Sequence, residues 1–277
     1  MSKQLSFNGL LDKYVHSDLG DADIVQTSTS SPVKTARTGA DASAGSPSST
    51  PNSTPQASPA TTPTKKKRKR TRGYAPPARY AHLSGVADTL LPNLICVFVG
   101  LNPGIMTSQT GCVFANPTNL FLPLLFESGC VPRKLSYLDS KALPRKYRLG
   151  VTNLVARPTA EQSELSRQEM IAGVPELEAK LCEYAPQLVC IVGKGIWESI
   201  YRHKTGRPLK ADAFAFGWQD QTACRFPEVE TGSAIVPTRV FVVPSTSGRV
   251  AAYSRAMKAE LWGVLGREVQ LIRAAEA

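Results

Sequence analysis

The chain has 277 residues and a net charge of +11, room for one large domain or two small ones. No run approaches the ~18–20 apolar residues of a membrane span, and Met1–Gly20 lacks the apolar core of a secretory signal. Six cysteines without a CxxC pair and three scattered histidines argue against a metal centre, an iron–sulfur cluster or a Ser-His-Asp triad.

Composition divides the chain unevenly. Met1–Val25 holds a few apolar residues (Leu5, Phe7, Leu10, Leu11, Tyr14), compatible with a short helix or partner-binding motif but not with a stable fold. From Gln26 to Thr64, Ser, Thr, Pro, Ala and Gly dominate and no aromatic residue occurs. Such a segment buries too little apolar surface to offset the entropy of ordering, so disorder is expected. Lys65–Arg72 (KKKRKRTR) carries seven basic side chains, whereas residues 73–277 carry 22 basic and 17 acidic ones. Lys65, Lys66, Lys67, Arg68, Lys69 and Arg70 read as a nuclear localisation signal, a nucleic-acid arm, or both. The expected organisation is a disordered arm over 1–72 and one folded domain over 73–277.

In the folded part, Leu83–Leu91 suits a short helix stopped by Pro92. Ile95–Val99 reads as a strand buried on both faces, ended by the turn Gly100-Leu101-Asn102-Pro103-Gly104. Gly111–Ala115 reads as loop, and Asn116-Pro117 suits an N-cap and first helical position. Leu120, Phe121, Leu124 and Leu125 then follow helical spacing up to Gly129. Gly150–Thr159 (GVTNLVARPT) is expected to be a short strand or an extended segment delivering Asn153 into a loop. Ser163–Tyr184 is the clearest helix, with Leu165, Met170, Val174, Leu177 and Leu181 facing the core and Pro175 kinking or splitting it. Leu188–Gly193 repeats the first strand, followed by Lys194 and a helix over Ile196–His203. Thr205–Pro237 reads as loop, with a small strand near Phe214–Trp218. Arg239–Val243 is the last strand, ended by Pro244–Arg249 (PSTSGR), with a final helix over 250–264.

Alternating strands and helices with right-handed crossovers imply an α/β fold with a mostly parallel sheet covered by helices on both faces. The polar turns then fall together at the carboxyl edge of the sheet, where open α/β folds bind ligands. Each turn offers a different chemistry. Asn102 can hold and weakly polarise a water. Asn153 presents an amide matching the edge of a pyrimidine. Ser245, Thr246 and Ser247, with Gly248 and Arg249 beyond, suit phosphate if a helix starts there, and Lys194 offers a second cation. Taken singly, each is also explained by local turn bonding.

GLNPG, LPRKYRLGVTN, GVTNLVARPT, LVCIVGKGIWE and VVPSTSGR, in this order and spacing, resemble the mismatch-specific uracil/thymine DNA glycosylases, most closely the thymine-DNA glycosylase branch. The resemblance spans Leu83 to Met257. It implies a three-layer α/β/α sandwich that takes uracil or thymine mispaired with guanine out of duplex DNA. The N-glycosidic bond is hydrolysed without strand cleavage or a cofactor, by a monomer whose abasic product passes to downstream base-excision repair proteins. By motif position, Asn102 holds the attacking water, and Phe114 lies against the flipped base. Asn153 and Thr159 border the pocket with Gly100, Leu101 and Asn119, and Arg249 is the wedge that fills the gap in the helix. An amide at position 102 activates water weakly, which favours good leaving groups such as uracil over thymine. Cys112 and Val113 stand where the thymine-DNA glycosylases usually carry histidines, which leaves oxidised-cytosine substrates open. The segment 219–238 is longer than the family pattern and is expected to be a surface loop. The alternatives are a catalytically silent DNA-binding scaffold and a hydrolase of free nucleotides.

Overall fold

The computed structural model describes residues 73–222, 224–231 and 234–276. The arm over 1–72, with its basic run, lies outside the described residues. The first apolar run forms β1 (Cys96–Gly100), and LGVTN forms β2 (Leu149–Asn153). LVCIV forms β3 (Leu188–Val192). Further on come a two-residue β4 (Gly217–Trp218), a hairpin of β5 (Glu228–Thr231) and β6 (Ala234–Pro237), and β7 (Arg239–Val243). The main sheet has the order β2-β1-β3-β7-β4, with only β4 antiparallel.

The helices are α1 (Ile105–Thr110), α2 (Phe121–Glu127), α3 (Leu143–Tyr147), α4 (Arg167–Ala172), α5 (Val174–Tyr184), α6 (Lys194–Thr205) and α7 (Arg255–Ala275). Strand side chains alternate between two cores, because successive residues of a strand point to opposite faces. Cys96, Phe98, Leu149, Cys190 and Phe241 pack with α2 and α7 on one side. Val97, Val99, Val189, Ile191 and Val240 pack with α5 and α6 on the other. This is a three-layer α/β/α arrangement. The first core centres on Trp262, which stacks on Phe98 at 5.5 Å and meets Phe121 edge-on at 5.5 Å. Burial holds the thiols in this core protonated, pushing Cys130 up to about 11 and Cys96 and Cys190 well above their ordinary value. They pack as small hydrophobes.

Several elements differ from the sequence reading. Residues 83–91 form no helix. Thr89 instead bridges Val151 antiparallel, and Leu90 and Leu94 lie so close over Gly150 that its added Cβ would be 2.9 and 2.6 Å from them. Asn116 caps no helix. Its Oδ1 accepts from the Thr118 amide at 2.9 Å in a turn, and α2 begins only at Phe121, within the apolar stripe. The helix expected over 163–184 is broken in two at Gly173, and Pro175 sits in the first turn of α5, where its missing N–H goes unused. Residues 205–237 are not all loop. The small strand expected near Phe214–Trp218 is present as β4, but the loop expected beyond it folds into the β5–β6 hairpin, and Cys224 and Phe226 are buried in the second core. The last helix starts at Arg255, capped by the Ser254 side chain, and runs to Ala275 rather than ending at 264.

Candidate active site

The strand register sets the carboxyl edge. Gly100 is level with Asn153, and Val192 with Val243, so the four polar turns that follow leave the sheet on one side. Asn102 is the most constrained polar side chain there. Its Nδ2 donates to the carbonyl oxygen of Arg157 at 2.8 Å and to Oγ1 of Thr159 at 2.9 Å. Thr159, 2% exposed, sends its own hydroxyl hydrogen to the carbonyl oxygen of Glu161 at 2.9 Å. A carbonyl oxygen only accepts, so the orientation of the Asn102 amide is fixed by chemistry. Both amide hydrogens are spent. Oδ1, which no donor among the described residues engages, is left to accept from a water.

The Thr159 loop is itself tied down on both sides. Its backbone meets the β1 turn through the Thr159 amide, which donates to the Pro103 carbonyl at 3.1 Å. Glu169 accepts from Arg157 at 2.9 Å and from the Ser166 amide at 2.9 Å. Burial raises the Glu169 carboxyl, but the Ser166 amide, the Arg157 guanidinium and the Ser166 hydroxyl outweigh it and hold it below its ordinary value.

Asn153 ends β2 half-buried, and its amide hydrogen-bonds no other described residue. Its Oδ1 lies where a side chain on Gly100 would intrude, 2.7 Å from an added Cβ. Gly100 is therefore small because Asn153 crosses it. Leu101 is half-buried against the second core, and the Val155 amide donates to its carbonyl at 2.8 Å.

Phe114 is held at φ 55°, a left-handed conformation that is strained for a bulky residue by about 1–3 kcal/mol. Its ring lies on Phe121 with centroids 3.7 Å apart. Phe121 in turn meets Trp262 edge-on, so a ring at the edge is backed by the core. Asn119 turns inward to the chain. Its Oδ1 accepts from the Phe121 amide at 2.9 Å and so starts α2.

Two expectations at this edge are corrected. Ser245, Thr246 and Ser247 do not precede a helix start, because α7 begins at Arg255. The Ser245 and Ser247 hydroxyls accept from the amides of Ser247 and Arg249 at 3.3 and 3.4 Å, and Thr246 is 2% exposed. This segment is a self-bonded turn rather than a phosphate cradle at a helix end. Lys194 opens α6, but its Nζ lies 5.2 Å over the Phe214 ring, drawn by the negative face of the ring. Gly248 and Arg249 keep their place at the edge. An added Cβ on Gly248 would lie 2.6 Å from the Thr118 carbonyl oxygen. Arg249, half exposed, reaches across to the Ala160 carbonyl at 2.8 Å and the Glu161 carboxylate at 3.1 Å. Glu161 thus touches both Thr159 and Arg249. Sequence reading passed over Arg157, Glu161, Glu164 and Glu169. The one available signal was Ser166-x-x-Glu169, which is a capping box in the structure.

With this geometry in place, comparison with known proteins is informative. Residues 88–266 match the family model of the uracil DNA glycosylase superfamily. The chain is 41% identical over 192 residues to the G/U mismatch-specific uracil DNA glycosylase of Schizosaccharomyces pombe, an alignment covering 68% of this chain and 55% of that protein. The chain thus spans about half the length of that relative. Among solved structures, a putative uracil DNA glycosylase from Methanosarcina acetivorans aligns with 16% identity and a TM-score of 0.44, over 68% of this chain and 98% of that one. The chain belongs to the uracil DNA glycosylase superfamily.

Proposed function

We propose that this chain is a monofunctional DNA glycosylase that hydrolyses the N-glycosidic bond of uracil mispaired with guanine, with thymine and related bases as poorer substrates. The observation that carries the reading is the clamp on Asn102. A side-chain amide whose hydrogens are both held by Arg157 and Thr159 offers a single, fixed acceptor to water. Membership of the uracil DNA glycosylase superfamily and the name of the Schizosaccharomyces pombe relative support the choice of bond and base.

In this reading the nucleotide leaves the stack, at an unpairing cost lowest for a mismatch. Phe114 lies against the base and Asn153 meets its amide edge. The C1′–N1 bond breaks through an oxocarbenium-like sugar, the base departs as an anion, and water held by Asn102 Oδ1 adds to C1′ and gives up its proton to solvent, from which the base anion is protonated. Asn102 cannot take a full proton. The carboxylates of the adjoining loop are engaged elsewhere: Glu161 by Arg249, Glu164 by Tyr80 and two backbone amides, and Glu169 by Arg157 and Ser166. Without a strong base, the rate depends on the stability of the departing anion, which ranks uracil above thymine.

A labelled G·U duplex incubated with the protein and then treated with alkali should break at the uracil. Asn102→Ala should bind the same duplex with unchanged affinity yet leave the base in place. Normal turnover by that variant would sink the assignment. We further propose that Lys65–Arg70 carries the chain into the nucleus, a reading supported by composition alone. A fluorescent protein fused to residues 1–72 that stays in the cytoplasm would refute it.

A further inference from the structure

One buried carboxylate lies behind the site. Glu164, 4% exposed, accepts from the backbone amides of Ala160 and Glu161 at 2.9 and 3.1 Å, both on Oε2. The Tyr80 hydroxyl donates to the same oxygen at 2.8 Å, and Arg79 stands 3.3 Å from Oε1. The Glu164 carbonyl accepts from the Ala75 amide at 3.1 Å. Residues 75–80, which precede β1 in the chain, are thereby stitched to the loop that touches Asn102.

An unpaired buried carboxylate would be costly. Here burial raises the Glu164 carboxyl, but the Tyr80 hydroxyl, the Glu161 and Ala160 amides and the Arg79 guanidinium outweigh it, and the group stays ionised. The turn from Thr159 to Glu161 needs these bonds, because it has no strand partner to satisfy the amides of Ala160 and Glu161. Fixing them holds the Ala160–Glu161 peptide, and the Glu164 amide, donating to the Glu161 carbonyl at 3.1 Å, holds the next one. The Glu161 carbonyl then takes the Thr159 hydroxyl hydrogen, which turns a lone pair of Thr159 Oγ1 toward Asn102 Nδ2.

We propose that Glu164, clamped by Tyr80 and Arg79, is a positioning residue for Asn102, acting through the Glu161 carbonyl and the Thr159 hydroxyl. It touches neither substrate nor water. It reinforces, through Thr159, the amide orientation that the Arg157 carbonyl also demands, in which Oδ1 is the atom presented. The inference rests on Asn102 as the holder of water.

The test uses the full chain carrying Glu164→Ala, Glu164→Gln or Tyr80→Phe, at a temperature where circular dichroism shows each variant folded. Three quantities are read: single-turnover excision from a G·U duplex, affinity for that duplex, and exchange of the Asn102 side-chain amide protons by NMR. Glu164→Ala should slow excision on the order of tenfold or more, as a misplaced reacting group does, and Tyr80→Phe by about a third of that factor. Glu164→Gln should stay within about threefold, because its amide oxygen still accepts from Ala160 and Glu161. Duplex affinity should hold within about twofold throughout, and Asn102 exchange should quicken in the same order as excision slows. Unchanged excision in Tyr80→Phe and Glu164→Ala, or excision and affinity falling together, would overturn the proposal. If Glu164→Ala does not fold, Tyr80→Phe alone decides it: slower excision with quicker Asn102 exchange at unchanged affinity carries the proposal, and wild-type excision overturns it. A wild type that excises nothing would refute the glycosylase reading, while the exchange series would still judge the positioning.

Discussion

A methyl group on Gly100 would lie 2.7 Å from Oδ1 of Asn153, and so the last residue of β1 and the last residue of β2 share one small space. The clash is with the end of a flexible side chain rather than with backbone, so the fold can accept it by moving the amide. Gly100→Ala should therefore unfold within a few degrees of the wild type yet excise uracil at least about tenfold more slowly, the range expected when a positioned contact shifts. Asn153→Ala should match it in rate. A Gly100→Ala enzyme with normal excision would show that the Asn153 amide does not read the base.

Thr159 has a comparable role with a different signature. Thr159→Val keeps the shape of the side chain but removes both the acceptor for Asn102 Nδ2 and the donor to Glu161. Two buried polar groups lose a partner, which should destabilise the protein by about 1–3 kcal/mol. Excision should fall, because the freed Asn102 amide can turn and present nitrogen in place of oxygen. Thr159→Ser should restore the rate, since the hydroxyl alone is required. Failure of serine to rescue would mean that the methyl group, and hence packing, is what matters.

The four parallel strands and their shared edge were legible because each strand is a short apolar run closed by a turn residue. Burial on both faces leaves no other reading of ICVFV or LVCIV. Asn102 and Asn153 were legible because polar residues directly follow those runs. The loop over 157–166 was not. Its order comes from Glu164 and Glu169 bonding to amides and to residues as distant as Arg79 and Tyr80, and neither periodicity nor composition reports such bonds. The helix start expected after Ser245–Ser247 was misplaced for a related reason: nothing before Ser254 distinguishes a turn from a first helical turn. Likewise Lys194 looks available in sequence until Phe214 is folded beneath it.

Arg249 separates a duplex enzyme from one that acts on free strands. In the protein alone it rests on Ala160 and Glu161, a half-exposed pair worth about 1 kcal/mol at most and so easily exchanged for DNA. Arg249→Ala should slow excision from a G·U duplex roughly tenfold or more, since nothing then holds the vacated space against the returning base. A single-stranded uracil oligonucleotide, which has no stack to refill, should be cut at close to the wild-type rate. Equal losses on both substrates would assign Arg249 to the pocket instead of the helix.

Asp139 and Glu276, held low by Arg133 and Arg148, share the acid limb of stability with Glu164 and Glu169. The carboxyls of Glu164 and Glu169 are held below their ordinary value of 4.5 in the fold. A depressed folded pKa contributes stability that is complete above the unfolded value and lost as pH falls through the folded one. Thermal unfolding temperatures should therefore be level above pH 5 or so and decline below 4.5. Glu164→Gln should unfold at a lower temperature at neutral pH but decline less steeply in acid. Parallel acid limbs in the two proteins would place the titrating groups elsewhere.

The junction between arm and domain can be located by deletion. Lys65–Arg72 carries seven basic side chains, and cations that neutralise phosphates release counterions with a log–log salt slope of about −0.9 each. Removing residues 1–72 should weaken binding to any duplex and flatten that slope. Excision at saturating protein should not change, since Ala75, Arg79 and Tyr80 remain to hold Glu164. Removing residues 1–81 takes away the same basic run and, in addition, the clamp, whose one further cation, Arg79, is already paired with Glu164. Its salt slope should equal that of the shorter deletion, while its single-turnover rate should drop to that of Glu164→Ala. Equal rates for the two deletions would show that the chemistry begins after Ala81, and an unchanged slope in both would leave the basic run to nuclear import alone.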